Sequence, residues 1–217
     1  MEQIANELES WFGRVDEANV PLNELERLLA EAYRCPAQAL SHSWETSSHL
    51  MVLGQVGKPI AFMLGRIETF GDTQTCYLGP AGIAPEARGK GLQNCLFASY
   101  RDHVHKLGLH PEVWWGITAH PRMFQAWHRF FAVSAPRRSL ENPPTWSLPI
   151  VSHVREHYAL PQNGESPFIL RGVFDVYSYS DSAQVALESD RERASYPLPL
   201  QGISPQRDRL ILVAREE

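Results

Sequence analysis

Two glycines alternate with two cations in the segment Arg88-Gly89-Lys90-Gly91, which separates an apolar run from an amphipathic stretch. The first backbone N–H groups of a helix have no partner inside the helix and carry the positive end of its dipole. Glycines here let an anion approach those N–H groups, and the cations add formal charge. The segment predicts a site for a phosphate or pyrophosphate, with a plain strand-to-helix turn as the alternative.

Two common phosphate motifs do not fit this turn. A Walker loop requires the pattern G-x-x-x-x-G-K followed by serine or threonine, and the sequence contains no such run. The dinucleotide motif requires a third glycine where this chain has Asn94, and it follows a strand-helix-strand order rather than antiparallel strands. Neither pattern therefore identifies the phosphate-bearing ligand.

The elements that must position this turn can be predicted from apolar periodicity. Helical spacing predicts two N-terminal helices, in "IANELESWFGRV" and "LNELERLLAEAYRC". Dense aliphatic residues around the turn residues Gly57-Lys58 and Gly71-Asp72 predict a three-stranded antiparallel meander that ends at the glycine-rich turn. A long helix to Gly108, the strand "EVWWGITA" and the helix "RMFQAWHRFFAV" are expected to follow.

The remaining third of the chain gives weaker signals. A short helix is predicted in "SHVREHYAL", and strands in "PFILRGVFDVYSYS" and "RLILVARE". Residues 181–206 are polar and then proline-rich, so we expect a mobile excursion there. The prediction is one domain over residues 1–217, with its core at about 20–135 and with residues 136–217 completing the sheet.

Composition excludes several classes of function. A formal charge of -5 and a pI near 6.0 argue against a protein that coats nucleic acid or an acidic membrane. Three cysteines without C-x-x-C spacing indicate neither a disulfide framework nor a structural zinc site, so a reducing, cytoplasmic location is expected. The acidic N-terminus does not resemble a signal peptide. The oligomeric state stays open, with a homodimer among the candidates.

The segment "GIAPEARGKGL" resembles motif A of the GNAT N-acyltransferase superfamily. Ile83, Pro85, Arg88 and Gly91 match the motif, while Gln93 replaces its usual small residue. The order of predicted elements is also similar to that of the family over residues 24–133. The resemblance implies a mixed α/β fold in which helices flank a mostly antiparallel central sheet, with a C-terminal extension.

The same resemblance implies that acetyl-CoA or another acyl-CoA lies between the strand ending at Ala84 and the strand around Trp115. Backbone groups of Ile83 and Ala84 are then expected to pair with the pantetheine arm. The pyrophosphate is expected to be held by the run Arg88, Gly89, Lys90, Gly91 and Leu92. The implied function is acyl-CoA-dependent acyl transfer, most directly N-acetyl transfer to an amine, with no metal.

The family's usual catalytic pair is not matched. In the family, an asparagine follows the strand that corresponds to the one around Trp115, and a tyrosine about seven residues later protonates the departing thiolate. Here His120 or Pro121 stands in place of the asparagine, and Trp127 or His128 stands in place of the tyrosine. His128 is therefore one candidate acid, and Glu68 and His120 are candidate bases for the attacking amine. The alternatives are a solvated strand end for Glu68, a helix cap for His120 and a partly buried helix residue for His128.

A second class of function is suggested by "HVREH". His153 and His157 lie one helical turn apart with Glu156 beside them, the H-x-x-E-H spacing of a zinc hydrolase. With nine histidines in the chain and no third ligand of fixed spacing, two surface histidines are the stronger interpretation. A third alternative is a GNAT-fold protein that binds CoA without transfer or decarboxylates an acyl-CoA.

The sequence indicates the acceptor only broadly. Aromatic residues after the glycine turn are candidates for its walls, although core packing explains such residues as well; they are Trp114, Trp115, Phe124, Trp127, Phe130 and Phe131. Residues 136–217 are expected to shape the acceptor side. A net acidic chain with aromatic walls favours a small amine or natural-product intermediate that is cationic or carries a ring.

Overall fold

The computed structural model describes residues 9–55, 58–137, 140, 142–158, 166–172, 175–191 and 196–216. The strands in this part of the chain are β1 (Ser10–Arg14), β2 (His49–Gln55), β3 (Lys58–Phe70), β4 (Thr73–Ile83), β5 (Val113–Thr118), β6 (Val133–Ala135), β7 (Ile169–Leu170) and β8 (Arg209–Arg215). The α-helices are α1 (Leu22–Leu29), α2 (Pro36–Thr46), α3 (Leu92–Lys106), α4 (Pro121–Phe130), α5 (Leu148–His157), α6 (Asp181–Arg191) and α7 (Leu198–Gln201).

All of these strands lie in a single sheet in the order β1-β2-β3-β4-β5-β8-β6, and β7 also pairs with β8. Among the described residues every pair is antiparallel except β4 with β5. The last strand of the chain is inserted between β5 and β6, so the C-terminal part completes the sheet. The mixed, mostly antiparallel sheet confirms the predicted fold class.

Helices cover both faces of this sheet. On one face, called here the α3 face, a β-carbon added to Gly65 would lie 2.5 Å from the Tyr100 hydroxyl of α3. On the opposite α1 face, a β-carbon added to Gly82 would lie 2.8 Å from Leu28 of α1, so the helix packs closely against β4. In the part of the chain that the structure describes, every helix is too short or too polar to cross a membrane.

The first predicted helix is wrong where the structure describes it. Residues 1–8 lie outside the described part, and Ser10–Arg14 forms β1, which pairs antiparallel with β2. Phe12 of this strand packs edge-on against Tyr100 and stacks on His49 and His103. Aromatic residues favour strands when a neighbouring edge is free to pair, and that tertiary contact overrides the helical spacing. The second predicted helix, the meander and the long helix are confirmed.

Three other elements differ from prediction. Helix α2 begins at Pro36 and was not predicted. Residues 181–206 contain α6 and α7, whose Leu187 and Leu200 are buried, so this part is packed secondary structure rather than a loose excursion. The strand predicted in "PFILRGVFDVYSYS" is limited to β7 because Gly172 turns the chain with φ of 68° and a 3-10 turn forms at Asp175–Tyr177.

Candidate active site

Strands β4 and β5 lie side by side over a short distance and then separate. Three residue pairs join Thr75–Tyr77 to Val113–Trp115. Beyond them no pairing between the two strands is found in the described residues, although β4 continues to Ile83 and β5 to Thr118. The resulting gap, called here the β4/β5 cleft, exposes backbone in the middle of the sheet.

Strand register leaves the cleft side of β4 open. The Ala84 N–H donates to the Ile60 carbonyl at 2.8 Å, so Ala84 bonds to the β3 side of the strand. Residues of an antiparallel strand bond alternately to either side, so Ala81 and Ile83 direct their N–H and C=O groups into the cleft. Of the two positions expected to contact pantetheine, Ile83 therefore presents its backbone to the cleft and Ala84 presents its N–H to β3.

The turn after β4 has the backbone shape that an anion site requires. A 3-10 turn at Pro85–Ala87 leads into Gly89 and Gly91, whose φ angles of 74° and 81° lie in the left-handed region that favours glycine. Gly91 precedes the first residue of α3. In the described part of the chain no acceptor is found for the backbone N–H groups of residues 89–93. The turn thus leaves a run of backbone donors unused shortly after the end of β4.

Gln93, which departs from the motif, adds one more donor. Its Nε2 atom is buried and has no hydrogen-bond partner among the described residues. Leaving a buried amide donor unpaired costs about 1 to 3 kcal/mol. Because Gln93 lies in the first turn of α3, a ligand oxygen bound there would satisfy this donor together with the free N–H groups. The donor set of the turn therefore fits a pyrophosphate.

The two cations of the turn are placed differently. Lys90 is exposed, whereas the Arg88 guanidinium forms an ion pair with Glu31 and donates from Nε to the Ile83 carbonyl at 3.1 Å. Leu92 is 2 % exposed, so its side chain belongs to the core and only its backbone is available.

His120 lies between β5 and α4 and caps the helix. Its Nδ1 accepts a hydrogen bond from the Arg122 N–H at 3.2 Å. Burial first, and the Arg122 and Arg88 cations next, lower the pKa of His120 to about 4, against an opposing effect of Asp190. In the neutral imidazole, the lone pair of Nδ1 therefore accepts the hydrogen bond from Arg122, and Nε2 carries the proton. This tautomer offers a donor, and a base role requires the cap to open.

Glu68 is held on β3 by its neighbour Arg66, whose Nε donates to Glu68 Oε2 at 2.9 Å. The other carboxylate oxygen is buried without a partner among the described residues. The guanidinium carbon of Arg66 lies 4.6 Å from the Tyr77 ring centre and 5.3 Å from that of Trp115. Glu68 is thus part of a largely buried ion pair on the α1 face rather than a solvated strand end.

His128 faces away from the cleft, toward β6. Its Nδ1 is 2.7 Å from the Ser134 hydroxyl, which itself donates to the Phe131 carbonyl, so Nδ1 is the protonated nitrogen. Burial lowers the pKa of His128 to about 4, and Nε2 is buried with no partner in the described residues. The neighbouring Trp127 is 1 % exposed and packs edge-on against Phe97 of α3.

The histidines of "HVREH" line two different cavities. His153 lies against Phe70, with 3.6 Å between ring centres, and lines a cavity of about 280 Å³ together with Glu156. His157 lines a second cavity. The described residues contain no group of three histidine, cysteine or acidic side chains placed to hold a metal ion.

This second cavity was not predicted from the sequence. It has a volume of about 340 Å³ and is called here the Arg66 cavity. Residues from α2, β3, β4, the end of α5 and the 3-10 turn Asp175–Tyr177 line it: His42, Thr46, Arg66, Tyr77, Pro80, His157, Tyr158, Val176 and Tyr177. Pro80 lies in the bulge where the register between β3 and β4 shifts, at the point where the cleft opens. Pro80 therefore lines the cavity and lies on the part of β4 that borders the cleft.

Comparison with known proteins shows which fold this chain shares. No protein-family model matches the sequence, and a search of curated proteins finds no similar sequence. The IAA acetyltransferase of Bacillus cereus ATCC 14579 superposes with a TM-score of 0.51 at 13% identity, covering 96% of this chain and 99% of that chain. The chain therefore has the predicted GNAT-like fold.

Two further solved structures are similar at lower scores. A proposed GNAT-family acetyltransferase from Desulfovibrio desulfuricans has a TM-score of 0.45 at 12% identity, covering 95% of this chain and 99% of that chain. A GNAT-family N-acetyltransferase from Escherichia coli, solved with CoA, has a TM-score of 0.42 at 17% identity, covering 57% of this chain and 68% of that chain.

Proposed function

We propose that the protein is an acyl-CoA-dependent N-acyltransferase that acetylates an amine of a small molecule. The observation that carries this proposal is the path formed by the cleft side of β4 and the glycine turn. Among the described residues, this side of β4 has no strand partner beyond Tyr77, and the N–H groups of residues 89–93 have no acceptor. An extended polyamide with a diphosphate at one end matches that path. Pantetheine linked to a pyrophosphate has this chemistry.

Each part of the path has a proposed role. The N–H groups of residues 89–93 and Gln93 Nε2 hold the pyrophosphate oxygens. The backbone of Ala81 and Ile83 pairs with the pantetheine amides in the manner of an added strand. This arrangement leads the thioester toward the bulge at Pro80, where the Arg66 cavity opens.

The reaction joins the acceptor nitrogen to the thioester carbonyl carbon as the carbon–sulfur bond breaks and the thiolate leaves. A thiol with an ordinary pKa of about 8.5 is a fair leaving group, so a dedicated acid is not essential. A lysine-like ammonium with an ordinary pKa of about 10.4 must first lose a proton. We assign that step to Glu68, directly or through water, and give His120 the role of a donor through its Nε2–H.

Calorimetry tests the binding half of this proposal. CoA should bind at least tenfold more tightly than adenosine, because adenosine lacks the pyrophosphate that the turn recognises. Equal affinities, or no binding of either compound, would remove the basis of the assignment. Release of free thiol from acetyl-CoA that depends on an added amine then separates transfer from binding alone.

A further inference from the structure

The Arg66 guanidinium is a fixed, largely buried cation in the floor of the Arg66 cavity. Its side chain is 15% exposed, and it is held by Glu68, by the Thr46 carbonyl at 3.5 Å and by the faces of Tyr77 and Trp115. These contacts use Nε and one N–H of Nη1. Among the described residues no acceptor is found for Nη2. A cation fixed in this way retains directed N–H donors for a ligand.

The other lining residues extend this pattern. None of the described residues that line the cavity is acidic. Tyr158 and Tyr177, which line the cavity from the C-terminal part, are uncharged at neutral pH, because burial raises the pKa of Tyr158 to about 12 and also raises the pKa of Tyr177. The described lining therefore combines one cation with uncharged phenols, and Glu68, the carboxylate bonded to Arg66, is already paired with that cation.

Rings account for much of the remaining lining. Tyr177 lies edge-on to His42 with 5.9 Å between ring centres, and its hydroxyl is fixed 2.8 Å from Ser43 Oγ. Tyr77, Tyr158 and His157 complete a largely aromatic wall. A volume of about 340 Å³ is at the small end of the range of ligand pockets, about 300–1,000 Å³. The cavity is therefore suited to one planar ring with a short substituent.

From these contacts we propose that the Arg66 cavity binds the acyl acceptor. This acceptor is a small amine that contains an aromatic ring and a carboxylate. The carboxylate pairs with the N–H groups of Arg66 that have no acceptor among the described residues. The proposal rests on the proposed function for the identity of the reaction. It narrows the acceptor expected from composition: the ring and the amine are retained, and a carboxylate is added, because the cavity presents the Arg66 cation despite the net negative charge of the chain.

Matched pairs of ligands test the proposal. On CoA-saturated protein, 4-(aminomethyl)benzoate should bind at least tenfold more tightly than 4-methylbenzylamine, which replaces the carboxylate with a methyl group. Phenylalanine should be favoured over phenethylamine in the same way. The proposal is overturned if the two compounds of either pair bind equally or if the compound without the carboxylate binds more tightly. It is also overturned if none of the four compounds binds.

Two variants assign the preference to this cavity. Replacing Arg66 alone would leave Glu68 buried without its cation, so the double variant Arg66→Gln/Glu68→Gln keeps a hydrogen-bonded, neutral pair. It should bind the carboxylate and methyl ligands within twofold of each other. Val176→Trp leaves the ion pair intact and fills the cavity, so it should weaken binding of both ligands at least tenfold. A preference that survives both changes overturns the proposal.

Calorimetry with CoA on the same preparations separates this inference from the proposed function. Both variants should bind CoA within twofold of the parent, because they do not alter β4 backbone or the glycine turn. CoA binding without a carboxylate preference contradicts the acceptor class alone. A carboxylate preference on protein that does not bind CoA contradicts the proposed function and leaves the ligand class of the cavity standing.

Discussion

Arg88, the motif residue expected to contact a pyrophosphate, is paired with Glu31 just beyond the end of α1. The Arg88 side chain also donates to the Ile83 carbonyl, which points into the β4/β5 cleft. An incoming diphosphate would therefore compete with Glu31 for the guanidinium, and pantetheine would compete with Arg88 for the Ile83 carbonyl. The pair is substantially exposed, at 40% and 53%, so its net stabilisation is small.

Glu31→Gln should therefore strengthen CoA binding by about two- to fivefold at low ionic strength, since Arg88 no longer has a competing carboxylate. The gain should shrink as salt is added, and the free energy of unfolding should change by less than about 0.5 kcal/mol. Calorimetry in a salt series measures the effect. Glu24→Gln is the matched control, because Glu24 forms a similar ion pair with Arg27 within helix α1, away from the glycine turn. Weaker CoA binding in Glu31→Gln would contradict the competition.

The glycine turn allows a test with an internal control. Gly89 and Gly108 have nearly equal φ angles, 74° and 76°, and a β-carbon on either would meet no atom within 4 Å. Valine at either position should therefore cost a similar amount of stability, about 1 kcal/mol or more. Only Gly89→Val should weaken CoA binding, by about a hundredfold or more, through loss of two or three charge-assisted hydrogen bonds.

Denaturant unfolding of Gly89→Val and Gly108→Val checks the matched strain, and calorimetry checks the affinities. Gly91→Val should behave like Gly89→Val. A folded Gly89→Val protein that binds CoA within threefold of the parent would show that the turn is structural only.

The segment from Ile83 to Leu92 could be predicted because its shape is determined locally. Glycine at positive φ, proline at the start of the 3-10 turn and a free helix N-terminus depend on neighbours in sequence. β1 could not be predicted in this way. Trp11 and Phe12 satisfy helical spacing as well as a strand, and the free edge of β2 decides between them.

The Arg66 cavity was beyond sequence reasoning for a related reason. Its floor comes from β3, and its walls include Tyr158 after α5 and Tyr177 after β7. These segments meet because β8 is inserted between β5 and β6, a crossover that no local pattern encodes. The helix around His153 was predicted correctly, but the orientation of its histidines depends on that same packing.

The separate surroundings of His153 and His157 lead to a prediction about zinc. Because the two imidazoles line different cavities and only His157 lies in the proposed acceptor cavity, His153→Gln should retain acyl transfer within about threefold of the parent. Activity should survive a chelator, and elemental analysis should find no stoichiometric zinc. Loss of activity in His153→Gln together with stoichiometric zinc in the parent would favour the hydrolase.

Stability should fall as the solution is acidified below about pH 6.5. The pKa values of His120 and His128 are about 4 in the folded protein, below the ordinary value of 6.5 in the unfolded chain. Between those values the unfolded chain binds protons that the folded chain does not, so the stabilising contribution is complete above pH 6.5 and is lost by about pH 4. The pKa values of His49 and His157 are lowered in the same direction.

His128→Asn isolates one of these groups, because the asparagine amide can donate to Ser134 in place of Nδ1–H and does not titrate. The loss of stability between pH 7 and pH 4.5, measured by urea unfolding, should be smaller in this variant by about 1 to 2 kcal/mol. His110→Asn, at an exposed position, is the control and should reproduce the parent profile. An unchanged pH profile in His128→Asn would mean that the buried Nε2 takes up a proton as readily as it does in the unfolded chain.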